Sequence, residues 1–249
     1  MGKIVSGVMF DEFARVFRHN LNSRSRTAKG VSDVSASPGK KPLVLSGPAL
    51  EQQVAHNTNL LVLSVWKSDK WEGQGTKQVR ELVESWNQLV NNGLQIARDY
   101  RDEQEEVYKR AKELAERTGK RHHLNRLYRV VTPPYLAAPL PPEEIEVAMD
   151  QFYLELLANT ILAYFNELPQ EELLAWVDYQ MEKAIHPWAD GCGRTATAIV
   201  MWLSLLDPER FRFPVFGTRD EHYAALKAGD LQGHAAYYKL CLERDLPAI

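Results

Sequence analysis

Apolar residues recur at every third or fourth position along much of the chain, which is the pattern of helices with one buried face. In residues 1–20, phenylalanine and valine are interspersed with charged residues. A secretion signal has a continuous apolar core instead, so this stretch is predicted to be a short amphipathic helix. The run 60–65 is mostly apolar and too short for periodicity to separate a strand from the middle of a helix.

The stretch 78–117 has the same pattern, with charged residues on the other face, and predicts one long helix or two in succession, ended by Gly119. Five prolines then fall within 133–142, which predicts an extended or looped segment. The last of them, Pro142, is followed by two glutamates, the usual beginning of a helix.

The C-terminal part carries further helical patterns. One begins near Gln170 and ends at the His186–Pro187 step, because the residue before a proline avoids helical geometry. A nearly all-apolar helix is predicted over 195–206, and a last one over 231–243. Thr218 and Glu221 form a capping box for another. No alternation of strands with helices is present, so the chain is predicted to be mainly α.

Residues 22–41 are rich in serine, poor in large apolar residues and net positive, which predicts a linker or mobile loop. The whole chain of 249 residues is 45% apolar and 25% charged, as expected of a folded protein with a sizeable core. Its net charge of −3 gives no reason to expect nucleic acid or anionic lipid as a partner.

The two cysteines, Cys192 and Cys241, are too few for a disulfide scaffold and lack metal-ligand spacing. No run approaches the eighteen or so apolar residues of a membrane span. We therefore expect a soluble protein with no membrane partner. A cytoplasmic location is expected, and an exported effector would have the same features.

The chemistry is concentrated in the loop at 186–194, HPWADGCGR. Gly191 and Gly193 allow close approach of a ligand just before a helix, whose first amides and positive dipole end favour an anion such as phosphate. Arg194 offers a planar donor fork for phosphate oxygens, and Asp190 is a ligand type suited to Mg²⁺. His186 is suited to accept a proton from an attacking hydroxyl. The plainer alternative is a tight turn at the glycines with His186 capping a helix.

The segment HPWADGCGRTAT resembles the signature of Fic proteins, HPF-x-D/E-G-N-G/K-R-x-x-R. Residues 178–185 are similar to the helix that leads into the family's loop. Residues 139–144 resemble the proline-rich entry to a family helix, and 219–230 resemble its C-terminal helix pair. The resemblance covers about residues 78–244 and is strongest over 139–230.

The resemblance implies a mainly α, Fic-like helical bundle over 76–249 with a small β-hairpin flap within about 128–140. Residues 1–75 would then be an N-terminal extension containing the flexible segment 22–41. The implied activity is transfer of a nucleotide monophosphate, usually AMP, to a hydroxyl of a protein or small molecule.

The resemblance also implies a role for each signature residue. His186 would be the general base and Asp190 would hold Mg²⁺. The backbone of Gly191, Cys192 and Gly193 would cradle the phosphates of the nucleotide. Arg194 would bind a phosphate oxygen, while Trp188, in place of the family Phe, would anchor the loop in the core. His222 and His234 would lie near the family's base pocket.

Two departures affect nucleotide handling, since the family Asn is Cys192 here and the second Arg is Thr197. Losing a guanidinium on the γ-phosphate removes a charge-assisted hydrogen bond worth roughly 1.5–3 kcal/mol, so atypical donor use is expected. No clear inhibitory S/T-x-x-x-E-G/N motif is found. Cys192, at a helix start beside Arg194, is also a candidate nucleophile.

Three functions follow from these residues. The first is transfer of a phosphate-containing, nucleotidyl-like group with His186 as general base. The second is acid–base chemistry, such as elimination, addition or cyclisation, on a small molecule without nucleotide or other cofactor. The third is a non-catalytic relative that binds a partner or nucleotide.

Overall fold

The structure is a computed structural model that describes residues 7–24, 48–68, 74–92, 117, 140, 142–188, 191–207, 209–227 and 230–247. Three helices precede residue 93: α1 (Gly7–Arg24), α2 (Pro48–Lys67) and α3 (Thr76–Val90). The amphipathic helix predicted at the N-terminus is confirmed, and the ambiguous run 60–65 is helical because it lies inside α2. The remainder of the helical pattern at 78–117 lies almost wholly outside the described residues.

The later helices are α4 (Pro142–Tyr164), α5 (Gln170–Tyr179), α6 (Cys192–Leu203), α7 (Arg219–Lys227) and α8 (Leu231–Glu243). A wider π-helical turn, Gln180–Ala184, extends α5 toward His186. The predicted starts at Pro142 and Gln170 and the predicted last helix are confirmed. The described ranges contain no strand, so the mainly α prediction is confirmed for them. The predicted flap at 128–140 lies, apart from Leu140, outside those ranges.

The helix predicted over 195–206 begins three residues earlier than expected. Cys192, Gly193 and Arg194 form its first turn, with Gly191 as the N-cap. Two glycines and a cysteine in four residues favour a loop on propensity alone. The start is set instead by Gly191, whose carbonyl accepts the first helical bond from the Thr195 amide at 2.8 Å.

Helix α6 is the centre of the molecule. All its residues except Gly193 and Arg194 are buried, and α1, α2, α3, α5 and the π-helical turn pack around it. Trp202 meets Trp86 of α3 edge to face, with ring centres 5.8 Å apart. Each large apolar side chain fully buried in this way contributes about 1.5–3 kcal/mol. The loop at 186–194 therefore leads directly into the core of the fold.

The N-terminal helices share this core. Phe13 of α1 contacts Phe213, with ring centres 5.6 Å apart. The Asn20 side chain donates to the Pro214 carbonyl at 2.7 Å and accepts from the Phe216 amide at 2.9 Å. A buried amide that forms both bonds fixes α1 against the segment before α7. No helix in the described part of the chain is long and apolar enough to cross a membrane.

Candidate functional site

His186 lies in the connection between the π-helical turn and α6, and its side chain is half-buried. Its backbone φ is 47°, in the left-handed region that side-chain-bearing residues seldom adopt. Such a conformation costs on the order of 1 kcal/mol or more and persists only where the surrounding structure enforces it. The local geometry therefore fixes the direction in which the imidazole leaves the chain.

Cys192 lies beside that imidazole. Its Sγ lies 3.8 Å from His186 Nδ1, donates to the Trp188 carbonyl at 3.1 Å and receives the Trp188 amide at 3.4 Å. Trp188 and Cys192 are 2% and 3% exposed, so their buried side chains anchor the loop in the core. Asp190, the expected Mg²⁺ ligand, lies outside the described residues.

Gly191 starts α6 in a conformation that glycine adopts most easily. Its φ is 83°, and a Cβ placed there would come within 2.9 Å of side-chain atoms of Asn87, Val90 and Asn91. Both the backbone and the close approach of α3 therefore require glycine. The sequence predicts the approach of a ligand at this glycine, whereas its neighbours in the structure are residues at the end of α3.

Gly193 is explained by a different neighbour. A Cβ at this position would lie 1.9 Å from Glu182 Oε1, so the carboxylate of the π-helical turn rests against the first turn of α6. A negative charge is favourable at this end of a helix. An incoming phosphate would meet this carboxylate close to the predicted anion site.

Arg194 is directed at the end of α3. Its Nη1 donates to the Val90 carbonyl at 3.0 Å, and its Nη2 donates to Asn91 Oδ1 at 3.1 Å. A cation is favourable at a helix carboxyl end, where carbonyls lack helical partners. Arg194 also borders a small surface cleft, which Leu21, Asn57 and others line and to which His186 does not contribute.

Thr197 occupies the place of the second signature arginine. It is buried, and its hydroxyl donates to the Gly193 carbonyl at 2.8 Å. The same carbonyl lies 3.4 Å from Arg24 Nη1, which reaches it from α1. A guanidinium is thus present near this turn of α6, but a different part of the chain supplies it.

Arg24 belongs to a group of side chains, the buried charge cluster, made of Arg24, Asp178, Glu182, His222, His234 and Tyr238. Arg24 holds Asp178 through two bonds of 2.5 and 3.0 Å, and it lies 3.4 Å from Glu182 Oε1 and 3.2 Å from the Tyr238 hydroxyl. His234 Nε2 is 2.8 Å from Asp178 Oδ2.

The members of this cluster shift one another's pKa values. Burial acts to raise the pKa of Asp178, but Arg24, His222 and His234 together outweigh it and hold that pKa well below its usual range. Burial acts on Glu182 in the same direction, and its pKa is nevertheless lowered by His222 and Arg24. Burial, together with the Arg24 charge, lowers the pKa of His222. The cluster is therefore a guanidinium and two carboxylates with a neutral His222.

The cluster also contains the ligand types of a metal site, because atoms of Asp178, His222 and His234 lie within 4.8 Å of one another. Arg24 Nη2 lies 3.3 Å from His222 Nδ1, and a guanidinium can only donate. The proton of neutral His222 is therefore on Nε2, which faces Asp178 and Glu182 at 3.6 Å each. In this arrangement the imidazole presents a proton, not a lone pair, to the space between the carboxylates.

No local sequence pattern predicts this cluster. Arg24 falls within the segment 22–41 that is predicted to be a linker or mobile loop, but in the structure it ends α1 and bonds Asp178, which is 154 residues away. His222 and His234 were singled out only through the resemblance. Neither a family model, nor a curated protein, nor a solved structure matches this chain.

Proposed function

We propose that this protein transfers a phosphate-containing, nucleotidyl-like group to a hydroxyl, with His186 as the general base. The observation that carries the proposal is the half-buried His186, held in a left-handed conformation beside Cys192 at the start of α6. Strained residues of this kind cluster at functional sites. The imidazole, whose Nδ1 lies 3.8 Å from Cys192 Sγ, would take the acceptor's proton.

The rest of the proposed site follows the resemblance. Asp190 would hold Mg²⁺, which neutralises phosphate charge when bound, and the amides around Gly191, Cys192 and Gly193 would bind the phosphate oxygens. A β-hairpin flap within 128–140 would hold the acceptor. Thr197 brings no charge to the donor, so a donor that does not need a second guanidinium is expected.

A second candidate function is supported by one observation, the engagement of Arg194 with Val90 and Asn91. To grip a phosphate, this guanidinium would give up two hydrogen bonds at the end of α3, each worth about 0.5–1.5 kcal/mol or more. Acid–base chemistry by His186 on a small molecule without nucleotide requires no such exchange. It would need neither Mg²⁺ nor a nucleotide.

Thermal unfolding with Mg²⁺ and a panel of nucleotides separates the two candidates. A ligand at a hundred times its Kd stabilises the fold by about 2.7 kcal/mol, which raises Tm by several degrees. The transferase proposal predicts that one nucleotide stabilises the wild type and His186→Ala, and that Asp190→Asn loses the Mg²⁺-dependent part. His56→Ala, an exposed change on α2, is the matched control. If no nucleotide stabilises the chain, the transferase proposal fails and the second candidate remains.

A further inference from the structure

Four side chains of the buried charge cluster bring one nitrogen or oxygen atom each close together, and these four ligands are Asp178, Glu182, His222 and His234. Asp178 Oδ2 lies 2.8 Å from His234 Nε2 and 3.6 Å from His222 Nε2. Glu182 Oε2 also lies 3.6 Å from His222 Nε2. The ligand atoms of a tetrahedral Zn²⁺, with bonds of about 2.0 Å, lie roughly 3.3 Å apart. The spacings in the cluster are therefore close to those of a metal site.

The Nε2 atom of His222 lacks a partner in this arrangement. It is buried and makes no hydrogen bond within the part of the chain that the structure describes, because both carboxylates are too far away at 3.6 Å. Buried polar atoms are nearly always paired. An ion between Asp178 and Glu182 would supply His222 with the missing partner and contact both carboxylates at once.

Arg24 supplies the positive charge of the cluster in this structure. It holds Asp178 through two hydrogen bonds, and its Nη2 lies 3.3 Å from His222 Nδ1. To bind a metal through Nε2, each neutral imidazole must carry its proton on Nδ1. Nδ1 of His234 has no hydrogen-bond partner among the described residues, so the proton meets no donor there. At His222 the proton would face the guanidinium, which can only donate, so Arg24 and a metal ion oppose each other.

We propose that the four ligands bind a divalent ion such as Zn²⁺ and that Arg24 competes with this ion for them. Two nitrogens and two oxygens at tetrahedral spacing suit Zn²⁺, whereas Mg²⁺ prefers octahedral oxygen ligands. The site is therefore distinct from the Mg²⁺ site of the proposed transferase and does not depend on that function. Because Arg24 is the last residue of α1, binding of the ion would release the end of α1 from Asp178 of α5.

Calorimetric titration of the full chain with Zn²⁺ alone, after a chelator has removed bound metal, measures the site. One Zn²⁺ per chain is expected, and Arg24→Met should bind it at least tenfold more tightly because the competing charge is gone. His222→Gln and His234→Gln should each lose this binding, whereas His56→Gln, at an exposed position of α2, should keep it. No stoichiometric binding by wild type and Arg24→Met would overturn the site, and equal affinities would overturn the competition.

If Arg24→Met is unfolded without metal, Zn²⁺ should restore its helical circular dichroism, since an ion that binds only the folded state stabilises it. Failure of Zn²⁺ to restore the fold would overturn the proposal. In wild type, hydrogen exchange of the amides in the last turn of α1 should become faster when Zn²⁺ binds. Unchanged exchange with the ion bound would show that Arg24 stays in place and does not compete.

Co²⁺ in place of Zn²⁺ identifies the ligand atoms. Tetrahedral Co²⁺ with nitrogen and oxygen ligands absorbs visible light and lacks the near-ultraviolet charge-transfer band of a cobalt–thiolate bond. Such a band would place the ion at Cys192 or Cys241 and overturn the proposal. His186→Ala, a change beside Cys192, should leave the Co²⁺ spectrum as it is in wild type. Loss of the spectrum in His186→Ala would place the ion in the loop and overturn the proposal.

Discussion

Two polar regions meet at the start of α6, and they differ in their burial and in the pairing of their charges. The loop at 186–194 contains a half-buried imidazole in a left-handed turn, whereas the buried charge cluster beneath it consists of paired charges closed from solvent. They touch at Gly193, whose carbonyl lies near Arg24 and whose Cα faces Glu182. The comparison indicates that the cluster fixes the helix start from which His186 and Cys192 are presented.

Removing Arg24 is expected to cause the largest loss of folding stability. Arg24→Met leaves Asp178 and Glu182 buried without their cation, and a broken buried ion pair typically costs about 3–5 kcal/mol. Urea unfolding should show this loss. Arg18→Met, in which an exposed hydrogen bond to Asn59 is lost, should change stability by less than about 0.5 kcal/mol.

A second substitution keeps this prediction testable if Arg24→Met does not fold. In Arg24→Met/Asp178→Leu the principal charge pair is replaced by apolar groups, so much of the stability should return. If the double variant is no more stable than the single one, Arg24 does not act by neutralising Asp178.

The contact between the two regions can be tested at Gly193. Gly193→Ala forces a Cβ against the Glu182 carboxylate and should destabilise the fold by about 1–3 kcal/mol. Glu182→Ala removes the obstacle, so the double variant should lose less than the sum of the two single losses. Strict additivity in urea unfolding would show that the two groups do not meet.

The pH dependence of stability distinguishes the cluster from the loop. The pKa of His222 is lowered in the folded state, so below about pH 6.5 the unfolded chain takes up a proton that the native state does not. Stability is therefore lost on acidification, by at most about 1.4 kcal/mol per pH unit for this proton. The lowered pKa values of Asp178 and Glu182 add a further loss below about pH 4.

His222→Gln should delay this decline, so that stability in urea at 25 °C stays level until about pH 5. His56→Gln, at an exposed position, is the control. If the stability of wild type and His222→Gln declined identically with falling pH, the neutral, buried His222 described above would be contradicted.

The smallest expected effect on stability is in the loop. Cys192→Ser keeps a donor beside His186 and Trp188 and should cost about 1 kcal/mol or less. Because Sγ lies 3.8 Å from His186 Nδ1, the chemical shifts of the His186 ring protons should change, which NMR measures directly. Unchanged ring-proton shifts together with a larger loss of stability would assign Cys192 to packing alone.

Local signals predicted much of the fold. Pro142 with its glutamates, Gln170 and the capping box of Thr218 and Glu221 act within one helical turn, and the structure has helices that start there. The start of α6 was wrong by three residues, because glycine propensity favours a loop while the left-handed Gly191 caps a helix.

The chemistry of the site was less accessible from sequence. A guanidinium suits a phosphate and a helix carboxyl end equally well, and residue type did not reveal that Arg194 contacts Val90. Arg24 and Asp178 are joined only by the folding of distant segments, so no local pattern indicates their contact. Asp190 and the flap remain predictions of the resemblance.

Transfer of label from nucleotide donors is the most direct test of His186 as the general base of a transferase. The full chain and its His186→Ala variant are incubated with Mg²⁺, a cell lysate and a panel of donors radiolabelled in the transferred phosphate, with His56→Ala as control. Labelled product is expected with wild type and His56→Ala, and a loss of at least a hundredfold is expected with His186→Ala. Equal labelling by His186→Ala, or no labelling by the wild type with any donor, would contradict it.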